Sequence, residues 1–267
     1  MHKFLRAIGF SDITKKDLEM ILDEVITRPE IMKITKDSEG NEFAELSGSF
    51  AANAGITVRG TYQEDDSFHM DYYYPYVFGT SITTNEQIDV EKHAEKESYA
   101  GVCDEVNLGV TLIFYIQNVA DYLAETNRHL SKIHYGAMLA GLSTEGKILC
   151  PVVERKKNDV PAIQKNDRHN QLIAQAREGD EDAIESLTLE DMDTYALLSQ
   201  RVMKEDIFSI VKSTFMPFGI ESDQYTVLGE IIDCVTMENR LTHEKLYGMK
   251  LLCNNIQFDV CINEKDL

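Results

Sequence analysis

Between residues 44 and 74 apolar and polar side chains alternate with a period of two, and that period belongs to extended strands. Ala44, Leu46, Gly48 and Phe50 fall on one side, then Ile56, Val58, Gly60 and Tyr62, then Phe68, Met70, Tyr72 and Tyr74. Glu45, Ser47 and Ser49, then Thr57, Arg59 and Thr61, then His69, Asp71 and Tyr73 fall on the other. Three such runs split by short loops describe an antiparallel meander with one buried face. With a turn at Glu64-Asp65-Asp66, Arg59 stands opposite Asp71 and Gly60 opposite Met70. The first pairing predicts a cross-strand ion pair worth about 1 kcal/mol at most.

A second meander is read near the other end, from strands over 225–235, 246–253 and 256–262. Asn254-Asn255 is a two-residue link that tolerates positive φ. Pairing about it sets Leu251 against Phe258 and Lys250 against Asp259, so apolar partners meet on one face and charged partners on the other.

The remaining segments are assigned by local signals. Residues 3–10 read as a short strand. Thr14 and Asp17 make a capping box ahead of Leu18, Ile21, Leu22 and Val25 at helical spacing, and Pro29 ends that helix. Ile88-Asp89-Val90 starts a strand, 108–116 is an apolar strand, and Asn118 caps a helix through Leu130. Residues 133–142 and 147–153 form a hairpin turning at Ser143-Thr144-Glu145-Gly146. The polar stretch 155–161 contains a proline and marks the expected boundary. It separates an N-terminal α+β domain over 1–157 from a helical segment followed by antiparallel strands over 158–267. In the helical segment, read through Phe215, Asp180 and Thr188 are caps and Leu198, Val202, Ile207, Ile210, Val211 and Thr214 trace an apolar stripe. The fold class is therefore α+β, with antiparallel meanders in the N- and C-terminal parts and a helical segment between them.

Composition excludes several partners. The formal net charge is −20, which repels a phosphate backbone or an anionic membrane surface. No apolar run approaches the roughly 18 residues of a membrane span, and the first residues lack the pattern of a signal peptide. Cys103, Cys150, Cys234, Cys253 and Cys261 sit in apolar runs with no CxxC pair, as expected of reduced, buried thiols in the cytoplasm.

Chemical motifs are scarce. His129 and His134 are too far apart in sequence for an HExxH site, so no metal site is expected. Phe78-Gly79-Thr80-Ser81 lacks the glycines and lysine of a phosphate loop, no GxGxxG is present, and no cofactor is expected. Gly141-Leu142-Ser143-Thr144-Glu145 lacks the second glycine of a nucleophile elbow. Asp104-Glu105 beside Cys103 disfavours its thiolate. One constellation remains. Arg59, His69, Asp71 and Tyr73, with Thr57, share the polar face of the first meander and offer an acid, a base and a fork for anions. A solvated face, or one covered by a helix of the same chain, accounts for them equally. Lys250, Asp259 and Asn263 form a second, similar candidate.

Thr214-Phe215-Met216-Pro217-Phe218-Gly219-Ile220-Glu221, Tyr225-Thr226-Val227-Leu228-Gly229-Glu230-Ile231, Phe258-Asp259-Val260-Cys261-Ile262-Asn263 and the opening His2-Lys3-Phe4-Leu5-Arg6-Ala7-Ile8-Gly9-Phe10 resemble an uncharacterised family of anaerobic Gram-positive bacteria, one of the domain-of-unknown-function families. The resemblance spans the chain and implies a bacterial, cytosolic origin, with no activity or site residue to carry over. Relatives continue with a glycine- and arginine-containing tail, which implies a closing strand beyond Leu267. The expected function is a non-enzymatic binding or scaffold protein, with a protein partner or a second copy as ligand. The alternative is an enzyme of unrecognised type working from the polar face of the first sheet.

Overall fold

A computed structural model describes residues 2–37, 39–92, 98–129, 133–149, 175, 182, 214–217 and 223–267. The period-two run forms three strands, β2 (Glu42–Ala51), β3 (Ala54–Tyr62) and β4 (Phe68–Val77), and β1 (Ile31–Lys36) adds a fourth at the edge. All pairings in this first sheet are antiparallel. One face buries Leu46, Phe50, Ile56 and Val58 against helix α1 (Lys15–Thr27). That helix starts where the capping box predicts: Asp17 N donates to Thr14 Oγ1 at 3.2 Å and Thr14 N to Asp17 Oδ2 at 2.8 Å. Its buried stripe is Leu18, Ile21, Leu22 and Val25. Gly48 lets it approach, since a Cβ there would lie 3.1 Å from Val25 Cγ2.

Residues 3–10 are not a strand. Lys3–Ile8 is a 3₁₀ turn closed by Gly9 at φ 92°. Leu5 and Ile8 are three apart and bury together, which suits three residues per turn better than alternation.

The second sheet has the order β7-β6-β5-β8, from β5 (Thr84–Lys92), β6 (Tyr99–Glu105), β7 (Val110–Tyr115) and β8 (Ile133–Ala137). Helix α2 (Val119–His129) follows β7, with Tyr122 N bonded to the Asn118 carbonyl. The predicted hairpin over 133–153 does not form as such. β9 (Ala140–Ser143) leaves β8 and joins the third sheet, pairing in parallel with β14 (Ile256–Asn263). Lys147, Ile148 and Leu149 lie in no strand, and 150–153 fall outside the described residues. Packing explains the switch, because Ala140 and Leu142 lean on the first core.

The third sheet runs β12-β13-β14-β9, with β12 (Glu230–Glu238) and β13 (Lys245–Cys253). Its final hairpin has the expected register, Lys250 opposite Asp259 and Leu251 opposite Phe258. Asn254 and Asn255 turn it at φ 46° and 69°. A two-stranded sheet of β10 (Thr214–Pro217) and β11 (Tyr225–Leu228) precedes it. The expected boundary at 155–161 and the caps and stripe over 180–211 lie outside the described residues, whereas Thr214 and Phe215, expected to end the helical stretch, pair with Leu228 and Val227 as strand β10 instead. Gln175 and Asp182, described singly, are both helical.

The final hairpin joins two cores. Leu246 and Cys261, at its open end, pack with α1 and the first sheet. Cys253, Ile256 and Phe258, at its turn, pack with the second sheet and α2. Among the described residues no helix is long and apolar enough to cross a membrane.

Candidate functional site

The polar face of the first sheet is organised by rows. Lys33, Glu45, Arg59 and Tyr72 lie side by side across β1 to β4, and Ile31, Ser47, Thr57 and Tyr74 form the next row. Arg59 is 1 % exposed. Its Nε donates to Glu45 Oε1 at 2.6 Å, and Nη2 donates to the Tyr74 hydroxyl at 2.8 Å. The same nitrogen reaches the carbonyls of Ile116 at 3.0 Å and Gln117 at 3.3 Å. The guanidinium also lies 4.6 Å from the Tyr74 ring centre. Glu45 uses its second oxygen to accept from Ala120 N at 3.0 Å, in the first turn of α2, where a helix favours negative charge. Burial pushes the Tyr74 hydroxyl well above its ordinary pKa, so it keeps its proton and donates to the Gln117 carbonyl.

This cluster is a strut between the sheet and α2. A buried arginine is tolerable when its charge and its N–H groups are satisfied together, and here one carboxylate and three oxygen acceptors do so. The adjacent cavity, lined by Lys33, Glu45, Ser47, Thr57 and Gln117, measures about 50 Å³. That is room for a few water molecules rather than a substrate.

The four residues expected to act together divide. Arg59 is in the strut. His69 and Asp71 sit at the exposed end of β4, with Nε2 and Oδ1 3.6 Å apart and the histidine side chain 69 % exposed. Tyr73 lies on the opposite face, where it packs on the first core and its hydroxyl accepts from His2 N at 3.3 Å. The expected pairing of Arg59 with Asp71 is therefore replaced by Arg59 opposite Tyr72, while Gly60 opposite Met70 holds. The cause is a bulge: Asp71 is the extra residue between these two pairs, and one extra residue reverses the side of every residue beyond it. Tyr72 and Tyr74 thus join the polar face that the unbroken alternation denied them. Gly60 marks the spot, since a Cβ there would collide with the His69 carbonyl oxygen.

Lys250, Asp259 and Asn263 also separate. Thr80 donates its N–H to Asp259 Oδ2 at 2.8 Å and accepts from Lys250 Nζ at 2.7 Å. Asn263 is at the far end of β14, donating to the Arg6 carbonyl at 3.1 Å and to Glu244 Oε2 at 2.5 Å. Both groups tie segments of the chain together.

Among the described residues no three His, Cys, Asp or Glu side chains are placed to hold a metal. Burial, then the charge of Glu105, pushes the Cys103 thiol up to about 11, and burial pushes Cys261 up to about 12, so neither is an activated nucleophile. Cys234 departs from the expected burial and is exposed on β12. A shallow groove of about 290 Å³ beside α1 is lined mainly by Phe10, Ile13, Met20, Ile21 and Leu241.

Sequence reasoning missed Glu45, Tyr74 and Thr80 as partners. Glu45 had a signal: it shares the polar side with Arg59, and a hairpin centred on Ala52 sets the two opposite.

A family model described as "Domain of unknown function, E. rectale Gene description (DUF3881)" matches residues 5–267. No curated protein and no solved structure matches the chain.

Proposed function

The chain belongs to that family, whose description assigns no activity, and we propose from its surface that it is a non-enzymatic binding protein of the cytosol. The observation that carries this is an apolar patch at the uncovered end of the first sheet. Ile34 and Met70 end a row that runs through Ala44 and Gly60, and Met32 ends the neighbouring row. Tyr62 joins them, its hydroxyl 3.8 Å from Met32 Sδ. Met32, Ile34, Tyr62 and Met70 are 56, 49, 42 and 36 % exposed. Contiguous exposed apolar groups rimmed by charge are the usual mark of a protein-binding surface, whereas scattered ones are not. The net charge of −20 weighs against a nucleic acid or an anionic membrane as the ligand.

The rival reading, an enzyme using the polar face, rests on His69 and Asp71. They stand in solvent and line neither cavity, and a perturbed catalytic pair needs enclosure. One comparison separates the two. Wild-type protein and Asp71→Ala are expected to retain the same partner from native cytosol, and Ile34→Glu to lose it while keeping its circular dichroism. Turnover of a defined small molecule by pure protein, abolished in Asp71→Ala, would overturn the proposal.

A further inference from the structure

We infer that the apolar patch on the first sheet seats an amphipathic helix of a partner protein, with lysine or arginine on the flank beside the β3–β4 turn. This rests on the reading of the patch proposed above and names its occupant. The patch continues a face that already holds a helix. Met32 stands in one row with Leu46 and Val58, which are buried in the core that α1 covers. Ile34 and Met70 end the next row and are left open. A Cβ at Gly60 would lie 2.9 Å from Phe68 Cζ, so the Phe68 ring fills the middle of that row. The Tyr62 ring packs edge-on against Phe68 with centres 5.1 Å apart, and its hydroxyl reaches Met32. The result is a continuous apolar floor across the sheet. Three strand spacings make it about 14 Å wide, and a helix of about ten residues, about 15 Å long, would cross it. A strand added to the sheet would meet one edge and leave this face open. Methionine at two corners suits a helix, because its side chain adapts to whatever ridge it meets.

Charge selects the flank. Tyr62 and Phe68, both in the patch, are joined by a turn that carries Glu64, Asp65 and Asp66. Gln63 N closes the turn by donating to the Ser67 carbonyl at 2.8 Å, and all three acids are exposed. Asp65 accepts from Ser67 Oγ at 2.5 Å inside the turn. Among the described residues none of the three carboxylates is in an ion pair. On the neighbouring strands Lys36 stands opposite Glu42, so those charges offset each other and the turn keeps its own. Its carboxylates lie at the end of the patch, within the screening length of about 10 Å from the flank of a helix seated there. They attract a basic flank and repel an acidic one. A second copy of this chain is disfavoured for the same reason, since it brings another net charge of −20. The chain's own α1 and α2 are already packed in its two cores.

The probe is a labelled peptide of about 14 residues with leucines along one helical side and lysines elsewhere, and its binding to the full chain is read by fluorescence anisotropy. It should bind, and more weakly as salt is added. The same peptide with glutamate for lysine, or with a central proline that breaks the helix, should not bind. Ile34→Glu should weaken binding at least about tenfold by setting a charge against the leucines. Glu64→Lys with Asp66→Lys should weaken the lysine peptide about tenfold and let the glutamate peptide bind. The same charge change on β12, Glu230→Lys with Asp233→Lys, should leave the affinity within about twofold, which separates the turn from the net charge. Equal binding by the proline peptide, or equal loss in the β12 variant, overturns the inference, because charge alone then accounts for binding. So does a dimer that sedimentation detects and Ile34→Glu dissolves, since a second copy is then the occupant. If Ile34→Glu loses the cytosolic partner but the lysine peptide binds no better than the glutamate one, the patch stays a binding surface and only the basic helix is refuted. If Ile34→Glu loses neither, both readings fall.

Discussion

Arg59 and Glu45 carry opposite charges into a space that water barely reaches, with side chains 2 % and 6 % exposed. Such a pair is a weak source of net stability, since the cost of stripping water from both charges roughly offsets their attraction. Removing one partner is different, because the other charge stays buried alone. Arg59→Met should therefore lower stability by about 3–5 kcal/mol in urea unfolding. Adding Glu45→Gln removes the stranded charge and keeps an acceptor for Ala120 N, so the double variant should be more stable than Arg59→Met alone. Equal or greater loss in the double variant would show that the strut acts through packing. Part of this was legible in the sequence: alternation placed both residues on one side of the meander. The bulge at Asp71 was not, because inserting one residue changes parity without changing composition. The available hint was Gly60, since a lone glycine within a strand pattern often marks a bulge or a close backbone approach.

Elements read correctly when their signals were local and failed when their partners were distant. Helix α1 carried its cap, stripe and stop within sixteen residues of sequence, Thr14 to Pro29. Thr14→Ala should cost about 1 kcal/mol by removing the cap, and Thr14→Ser should restore most of it, as measured by thermal unfolding. The final hairpin was legible because its two-residue link fixes the register. Both link residues have positive φ, so Asn255→Val should cost about 1–2 kcal/mol while Asn255→Gly costs nothing measurable. An unchanged midpoint in the valine variant would mean that the strands, not the link, set the register. By contrast, β1 was missed because it is an edge strand with no fully buried residue. The parallel pairing of β9 with β14 joins segments more than a hundred residues apart, and no local pattern announces it.

At the scale of the whole molecule, the two ends of the chain are fastened to each other. The N-terminal turn packs its Ala7 carbonyl on Cys261 Sγ at 3.3 Å, and Arg6 pairs with Asp266. Asn239 Nδ2 donates to the Ile8 carbonyl at 2.7 Å. Arg240 reaches from the β12–β13 loop to Glu24 of α1 at 2.7 Å and to the Ser49 carbonyl at 3.0 Å. At the centre of this closure, Glu244 accepts from Ser11 at 2.7 Å, Asn263 at 2.5 Å and Lys265 at 3.1 Å. Partial burial alone would raise its carboxyl pKa, but these donors together outweigh burial and hold it below the ordinary 4.5. A carboxylate held low in the folded state adds stability above its unfolded pKa and loses it as the pH falls through the folded one. The closure should thus be at full strength near neutrality and weaken below about pH 4.5. Glu244→Gln should lower the melting temperature by a constant amount between about pH 6 and 8, and that gap should narrow as the pH drops below about 4.5. A gap that stays constant down to about pH 3 would mean that Glu244 holds the two ends by shape and hydrogen bonding alone, and that its charge contributes nothing to the closure.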